Sequence, residues 1–240
     1  MMMHYLNKAL IFILVIVLIG PALVFADPPL PTPVGRVVWV KGTFKAIMPN
    51  KEQRILQKMS VIYLHDTLVT DATSQAQIAF TDDSLMTFRG GSNFTVSEYS
   101  FSKKKKASTG RFFGNLIEGG FRTITGLIAK NNSADYKVHT PVATIGVRGT
   151  DYTVYVHKGQ LYVGFYKGSP CVSNKGQTLC LDNKTPYAFV PSDNAAPVPE
   201  SQQPDVFKEK LNILEYQIQP FGGTGGGGTQ GPISSFCISS

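Results

Sequence analysis

Apolar residues in this chain return at two nearly constant intervals, and that regularity limits the fold more than any other feature. Ile78, Met86 and Phe94 are eight apart, and Phe80, Phe88 and Val96 repeat the step two residues later. Farther on, Tyr136, Ile145, Val154, Val163, Val172, Leu181 and Val190 stand nine apart, with Val147, Val156 and Phe165 in step. Partners two residues apart share one face of a strand. Short strands at this spacing predict an all-β domain over 34–190. Its expected form is a compact β-solenoid-like or double-layered structure, with an antiparallel β-sandwich as the alternative. Stacked rungs pair residues of constant difference, whereas hairpins pair residues of constant sum. The constant nine therefore favours stacking, although a regular meander imitates it.

The ends of the chain read differently. Lys8 precedes an unbroken apolar run, "ALIFILVIVLI" over 9–19, which Gly20-Pro21 interrupts before "VFA" at 24–26. That is the build of a secretory signal over 1–26, with cleavage between Ala26 and Asp27. The alternative is an uncleaved anchor, for which the run is short of the roughly 20 residues a spanning helix needs. A Pro-rich leader, "DPPLPTP", occupies 27–33. Residues 191–204 are rich in Pro, Ala and Ser and read as a linker. Phe207, Leu211, Leu214 and Ile218 then recur at helical spacing behind Asp205, a plausible N-cap, which predicts a short amphipathic helix over 205–219. A Gly-rich flexible tail fills 220–240.

Export makes the cysteines legible. Cys171 and Cys180 enclose "VSNKGQTL", whose Asn174-Lys175-Gly176 is a turn signal. In an oxidising compartment the pair is expected to form a disulfide, across a hairpin or between adjacent rungs; two reduced thiols are the alternative. Cys237 is left over, either free or joining two chains. The histidines His65, His139 and His157 show no metal-ligand spacing, and no metal or cofactor is expected.

One stretch is denser than the rest: "TPVATIGVRGTDYTVYV" at 140–156. It closely resembles the signature of the FecR domain, found in envelope regulators of iron uptake and in many exported bacterial proteins. The resemblance extends upstream to "HDTLVTDATSQAQIAFTDDSLMTFRGGSNFTVSEY" at 65–99, to "NLIEGGFRTITG" at 115–126 and to "GRVVWVKG" at 35–42. His65 and Asp83 each stand where the family usually has Gly. The resemblance implies a non-enzymatic domain of the bacterial periplasm that works in envelope signalling or assembly, with an envelope or outer-membrane protein as partner. Members that act as anti-sigma regulators carry a cytoplasmic helical region before a membrane span, and here a signal-like segment stands in that place.

Within the motif, Thr140, Pro141, Gly146, Val147, Arg148, Gly149 and Thr150 read as mainly structural. The glycines permit backbone angles or close approaches that side chains forbid, and Pro141 biases Thr140 toward extended geometry. An arginine between them suits a fixed hydrogen-bonding fork, with Asp66, Asp82, Asp83 and Asp151 as candidate partners. The alternative is an exposed Arg148 that reads a partner or an anion.

Charge offers a second candidate site. The formal net charge of +7 becomes +6 when Lys8 leaves with the signal. Residues 103–130 hold all of that excess: Lys103, Lys104, Lys105, Lys106, Arg111, Arg122 and Lys130 stand against Glu118 alone. Such a patch attracts acidic glycan or lipid, or it is a solvated loop. No nucleic-acid-binding motif accompanies it, and nucleic acid is not expected as a partner. No G-x-S-x-G or H-E-x-x-H occurs. Asp82-Asp83 is the only carboxylate pair that suggests hydrolysis, the least favoured reading.

Overall fold

The computed structural model describes residues 31–103, 109–209, 211–214 and 216. The expected signal and its Ala26/Asp27 cleavage, most of the leader, Lys104, Lys105, Lys106, the Gly-rich tail and Cys237 lie outside the described residues.

The described chain is mostly β. Its first half contains β1 (Pro33–Lys41), β2 (Phe44–Ile47), β3 (Gln53–Ile55), β4 (Val61–Tyr63), β5 (Thr67–Thr70), β6 (Gln75–Phe80), β7 (Leu85–Phe88), β8 (Asn93–Ser102) and the long β9 (Thr109–Ile124). A short helix, α1 (Leu127–Asn131), and a 3-10 turn (Ser133–Asp135) follow. The second half contains β10 (Tyr136–His139), β11 (Thr144–Gly146), β12 (Asp151–His157), β13 (Gln160–Lys167), β14 (Cys171–Asn174), β15 (Gln177–Cys180), β16 (Tyr187–Val190) and β17 (Val198–Glu200).

Hydrogen bonding sorts these strands into two layers that do not close. Layer A runs β4-β1-β6-β7-β9-β12-β13-β16-β17. Layer B runs β3-β2-β5-β8-β9-β10-β11-β14-β15. One strand, β9, serves both: its first part pairs with β8 and β10, and its last part with β7 and β12. Every pairing is antiparallel except β9 with β10. After β9 the chain proceeds in hairpins that alternate between layers: β10–β11 in B, β12–β13 in A, β14–β15 in B and β16–β17 in A.

This alternation explains the interval of nine. Val154 lies directly opposite Val163, and Cys171 opposite Cys180, so in these two hairpins the interval is a strand plus its turn, while the steps Ile145–Val154 and Val163–Val172 pass from one layer to the other. All seven nine-spaced residues are buried between the layers, as are Ile78, Phe80, Met86, Phe88, Phe94 and Val96. The expected face is the core face; the pairing that produces it is of the constant-sum kind. Cys171 and Cys180 form a disulfide across the β14–β15 hairpin. Lys175 and Gly176, both at positive φ, make its turn, as a two-residue hairpin loop requires. Rings from the two layers meet across the core. Phe94 of β8 lies against Phe88 and Phe121 of layer A, and Phe80 stands edge-on to Phe112.

The C-terminal part departs from expectation twice. The stretch read as a linker, 191–204, contains β17, which extends layer A by pairing with β16. The helix read over 205–219 reduces, among the described residues, to one 3-10 turn, Asp205–Phe207; residues 208, 209 and 211–214 are not helical. The segment runs across the outer face of layer A instead. Phe207 packs near Tyr187 of β16, Asn212 reaches Thr87 of β7, and Tyr216 and Ile213 reach a second apolar cluster with Trp39 and Val38 of β1. From β16 to β1 there are six strand spacings, about 29 Å at ~4.8 Å each. The nine steps from Phe207 to Tyr216 cover about 30 Å extended but only about 14 Å as a helix. An extended chain reaches across the layer, and a helix does not.

Candidate functional site

Three of the four stretches singled out by sequence, 65–99, 115–126 and 140–156, meet at one end of the domain. Asp82, at the turn between β6 and β7, is buried. Its carboxylate accepts hydrogen bonds from Ser84 Oγ (2.8 Å), the Ser84 amide (3.2 Å) and the Ile128 amide (3.4 Å). Its backbone carbonyl accepts from the Leu127 amide at 2.8 Å, and Ser84 Oγ accepts from the Gly126 amide at 2.8 Å. The β6–β7 turn thus anchors the start of α1. Gly126 has no room for a side chain there, because a Cβ would lie 2.1 Å from the Asp82 carbonyl oxygen. One residue earlier, Thr125 and Thr150 exchange three hydrogen bonds of 2.8–3.1 Å, which tie α1 to the motif.

The motif residues divide by role. Thr140 closes a turn on itself: its hydroxyl accepts from the Val142 and Ala143 amides and donates to the Ala143 carbonyl. Pro141 is exposed in that turn, while Val147 and Thr150 are buried. Gly149 takes φ +59, which a side chain resists, whereas Gly146 is neither at positive φ nor crowded.

Arg148 does not form the fork expected of it. Its side chain is exposed and has no hydrogen bond or ion pair among the described residues. Each expected carboxylate partner is held by another group. Arg54 pairs with Asp66, and Ser84 holds Asp82. Lys103 lies 3.6 Å from Asp83, and Arg122 grips Asp151 with two bonds of 2.9 and 2.8 Å. Beside Arg148, the stem of Lys130 in α1 passes the loop, 3.5 Å from where a Cβ on Gly149 would sit. The corner therefore presents one unpaired guanidinium on a backbone braced by Thr125, Thr150 and Asp82.

The described basic residues of 103–130 are not gathered into one surface. Arg111 lies in the part of β9 that belongs to layer B, where it pairs with Glu98 (3.0 Å) and approaches Asp135 (3.6 Å). Arg122 lies on the outer face of layer A, fixed to Asp151 and stacked under Tyr166 at 4.2 Å. The other described members are Lys103, paired with Asp83, and Lys130. No group of three or more His, Cys, Asp or Glu is placed to hold a metal among the described residues. No helix of the described residues is long and apolar enough to cross a membrane.

His65 and Asp83, the two residues that stand in place of a family glycine, are both at positive φ, 68° and 67°. The turns keep the glycine conformation with side chains that resist it. His65→Gly and Asp83→Gly are each expected to leave the fold intact and to raise stability by up to about 1 kcal/mol in a urea melt.

Burial pushes the Asp82 carboxyl above its ordinary value of 3.8, against the hydrogen bonds from Ser84 and Ile128 that favour the carboxylate. A carboxyl with a raised folded pKa holds its proton more tightly in the native state. The stability it lends is full below the unfolded pKa and is lost as the pH rises through the folded one. Asp82 is therefore expected to lend stability as the pH falls from neutrality toward about 4. Asp82→Asn removes that dependence, so the two proteins should differ in the slope of Tm against pH.

An all-β domain of two layers, with its polar landmarks knotted at one end, is the class these observations define. Residues 66–169 match the family model described as FecR protein. Two crystal structures of a candidate anti-sigma factor from Parabacteroides distasonis ATCC 8503, at 2.50 and 1.65 Å resolution, resemble the fold with TM-scores of 0.42 and 0.43 and 13% identity. Each match covers 57% of this chain and 59% of the other. No curated protein matches.

Sequence reasoning missed a second set of residues, Gln77, Thr87 and Arg89 on layer A, and placed Arg122 in the wrong company. A signal was present: Gln77 and Thr87 are polar positions inside strongly apolar strands, and both are fully buried. A buried amide in a strand needs a partner that the strand ladder does not supply.

Proposed function

We propose that this chain is an exported, non-enzymatic FecR-domain protein that acts in cell-envelope signalling or assembly by binding another macromolecule, an envelope or outer-membrane protein. The observation that carries this reading is Arg148, exposed and unpaired at the centre of the family motif, on a loop held by buried hydrogen bonds. A guanidinium with no internal duty, on a braced backbone, suits recognition of a carboxylate or a backbone carbonyl on a partner. The disulfide between Cys171 and Cys180 supports an oxidising compartment such as the periplasm, in line with the signal-like N-terminus. The double-layered description of the domain fits the alternating hairpins better than a stack of parallel rungs. Acidic glycan or lipid at a basic patch is the weaker reading, because Arg111 and Arg122 are already neutralised by carboxylates.

The test is crosslinking in intact native cells with the wild type and Arg148→Ala. Because the side chain is exposed, Arg148→Ala is expected to change stability by no more than about 0.5 kcal/mol. The variant should melt like the wild type and lose a discrete envelope protein that the wild type captures. A lowered Tm would return Arg148 to a structural role. Capture retained at full yield would remove it from the interface.

A further inference from the structure

The segment 206–216 lies on layer A as a bound peptide lies on a receptor. Most of its polar contacts are made by side chains of the layer to backbone atoms of the segment. Gln77 meets Leu214 twice: its Nε2 donates to the Leu214 carbonyl at 2.6 Å, and its Oε1 accepts from the Leu214 amide at 2.8 Å. Thr87 Oγ1 donates to the Asn212 carbonyl at 3.1 Å, Arg122 Nη1 to the Leu211 carbonyl at 3.1 Å, and Arg89 Nη1 to the Val206 carbonyl at 2.9 Å. Such contacts read an extended backbone whatever its side chains are.

Side-chain selection is confined to a few positions. Phe207 and Leu211 are buried, and Ile213 and Tyr216 pack on the Val38, Ala79 and Leu85 cluster with Trp39. Glu209 is held by Arg89 (2.8 Å) and Gln75 (2.7 Å). Leu214, between the two Gln77 bonds, is 55% exposed. The receptor side is itself prearranged. Asp151 and Tyr166 fix Arg122, Tyr155 lies under Arg89 at 4.1 Å, and Trp39 Nε1 donates to Gln77 at 3.0 Å.

We propose that the outer face of layer A is a binding channel for an extended polypeptide, held shut in cis by 206–216. The occupant it takes in exchange is an extended segment of a partner protein with the same chemistry. That segment carries an aromatic residue, a carboxylate two residues on and aliphatic residues at the fourth and sixth positions after the aromatic one. The channel is a different surface from the Arg148 corner, so either assignment can fail without the other. Tethering gives the cis segment an effective concentration on the order of mM, so a partner segment binds well only when the strap is weakened or outcompeted.

The test uses the full chain and a fluorescent peptide with the sequence of 204–218. Leu211→Asp is expected to loosen the strap and to bind the peptide at least tenfold more tightly than the wild type does. Adding Gln77→Leu to that variant should abolish the gain, and a scrambled peptide should not bind. A Leu211→Asp chain that melts cooperatively yet binds no better than the wild type overturns the proposal. So does a gain that survives Gln77→Leu, or a wild type that is a dimer with the strap crosslinked between copies. If Leu211→Asp fails to fold, Ile213→Asp at the far end of the strap makes the same comparison.

Discussion

Phe94→Ala is expected to cost about 3–5 kcal/mol, a large share of the stability of a domain of this size. Phe94 is fully buried, and its ring meets Phe88 at 5.5 Å, Phe121 at 5.6 Å and Phe112 at 6.4 Å. It joins the two layers, because Phe88 and Phe121 belong to layer A and Phe94 to layer B. The opposing backbone is shaped for it: a Cβ on Gly114 would lie 2.3 Å from the Phe94 ring. Collapse into the cavity left by alanine would need both layers to move together, so the cavity should persist. Tm should fall by about 10 °C or more, with an unchanged denaturant m-value. Phe113→Ala, on the opposite and half-exposed face of β9, should cost only about 1 kcal/mol. Equal losses for the two would mean that the aromatic cluster does not bind the layers to each other.

Gly119→Val should be the more severe change, because it strikes the backbone rather than the packing. Gly119 has φ +78 where β9 passes from layer B to layer A. A Cβ there would lie 2.4 Å from Ser92 Cα, 2.5 Å from the Gly91 carbonyl oxygen and 2.7 Å from the Ser92 amide nitrogen. All three are backbone atoms, so no side-chain rotation relieves the clash, and a β-branched residue at positive φ adds its own strain. Ser92 stitches this crossing by accepting from the Gly120 amide (3.0 Å) and donating to its carbonyl (2.8 Å), and valine would push it away. A loss of about 3 kcal/mol or more is expected, seen as collapse of near-UV circular dichroism or failure to fold. Gly146→Ala is the contrasting case. Its Cβ meets nothing within 4 Å, and that variant should melt like the wild type.

The buried face of the domain was legible because burial in a strand leaves a local record. Every residue of the eight- and nine-spaced sets used to infer it is buried or packed on the core. The strand pairing was less legible, since the same spacing suits a hairpin or a rung until the partners are known. The C-terminal segment misled for a different reason. Lys208, Glu209 and the spacing of Phe207, Leu211 and Leu214 satisfy a helix locally, but the layer offers Gln77, Thr87 and Arg122 as backbone partners only to an extended chain. Nothing within the segment itself records that offer. Arg148 was misjudged in the same way. Four carboxylates looked available; Ser84 holds Asp82 from two residues away, and the cations that take the other three lie 12 to 29 residues off, such as Arg122 for Asp151.

The hairpins after β9 take the two layers in turn, and this places a parity rule on how such a chain can lengthen. Inserting one hairpin between β11 and β12 would send every later strand to the opposite layer, turning inward-facing positions onto a surface they were not shaped for. Two hairpins added together would restore each strand to its own side. Growth one hairpin at a time spares the strand order only beyond β17, after which the described residues hold the strap 206–216 but no further strand. Relatives of different length should therefore differ by even numbers of hairpins inside the domain and by any number at its C-terminal edge.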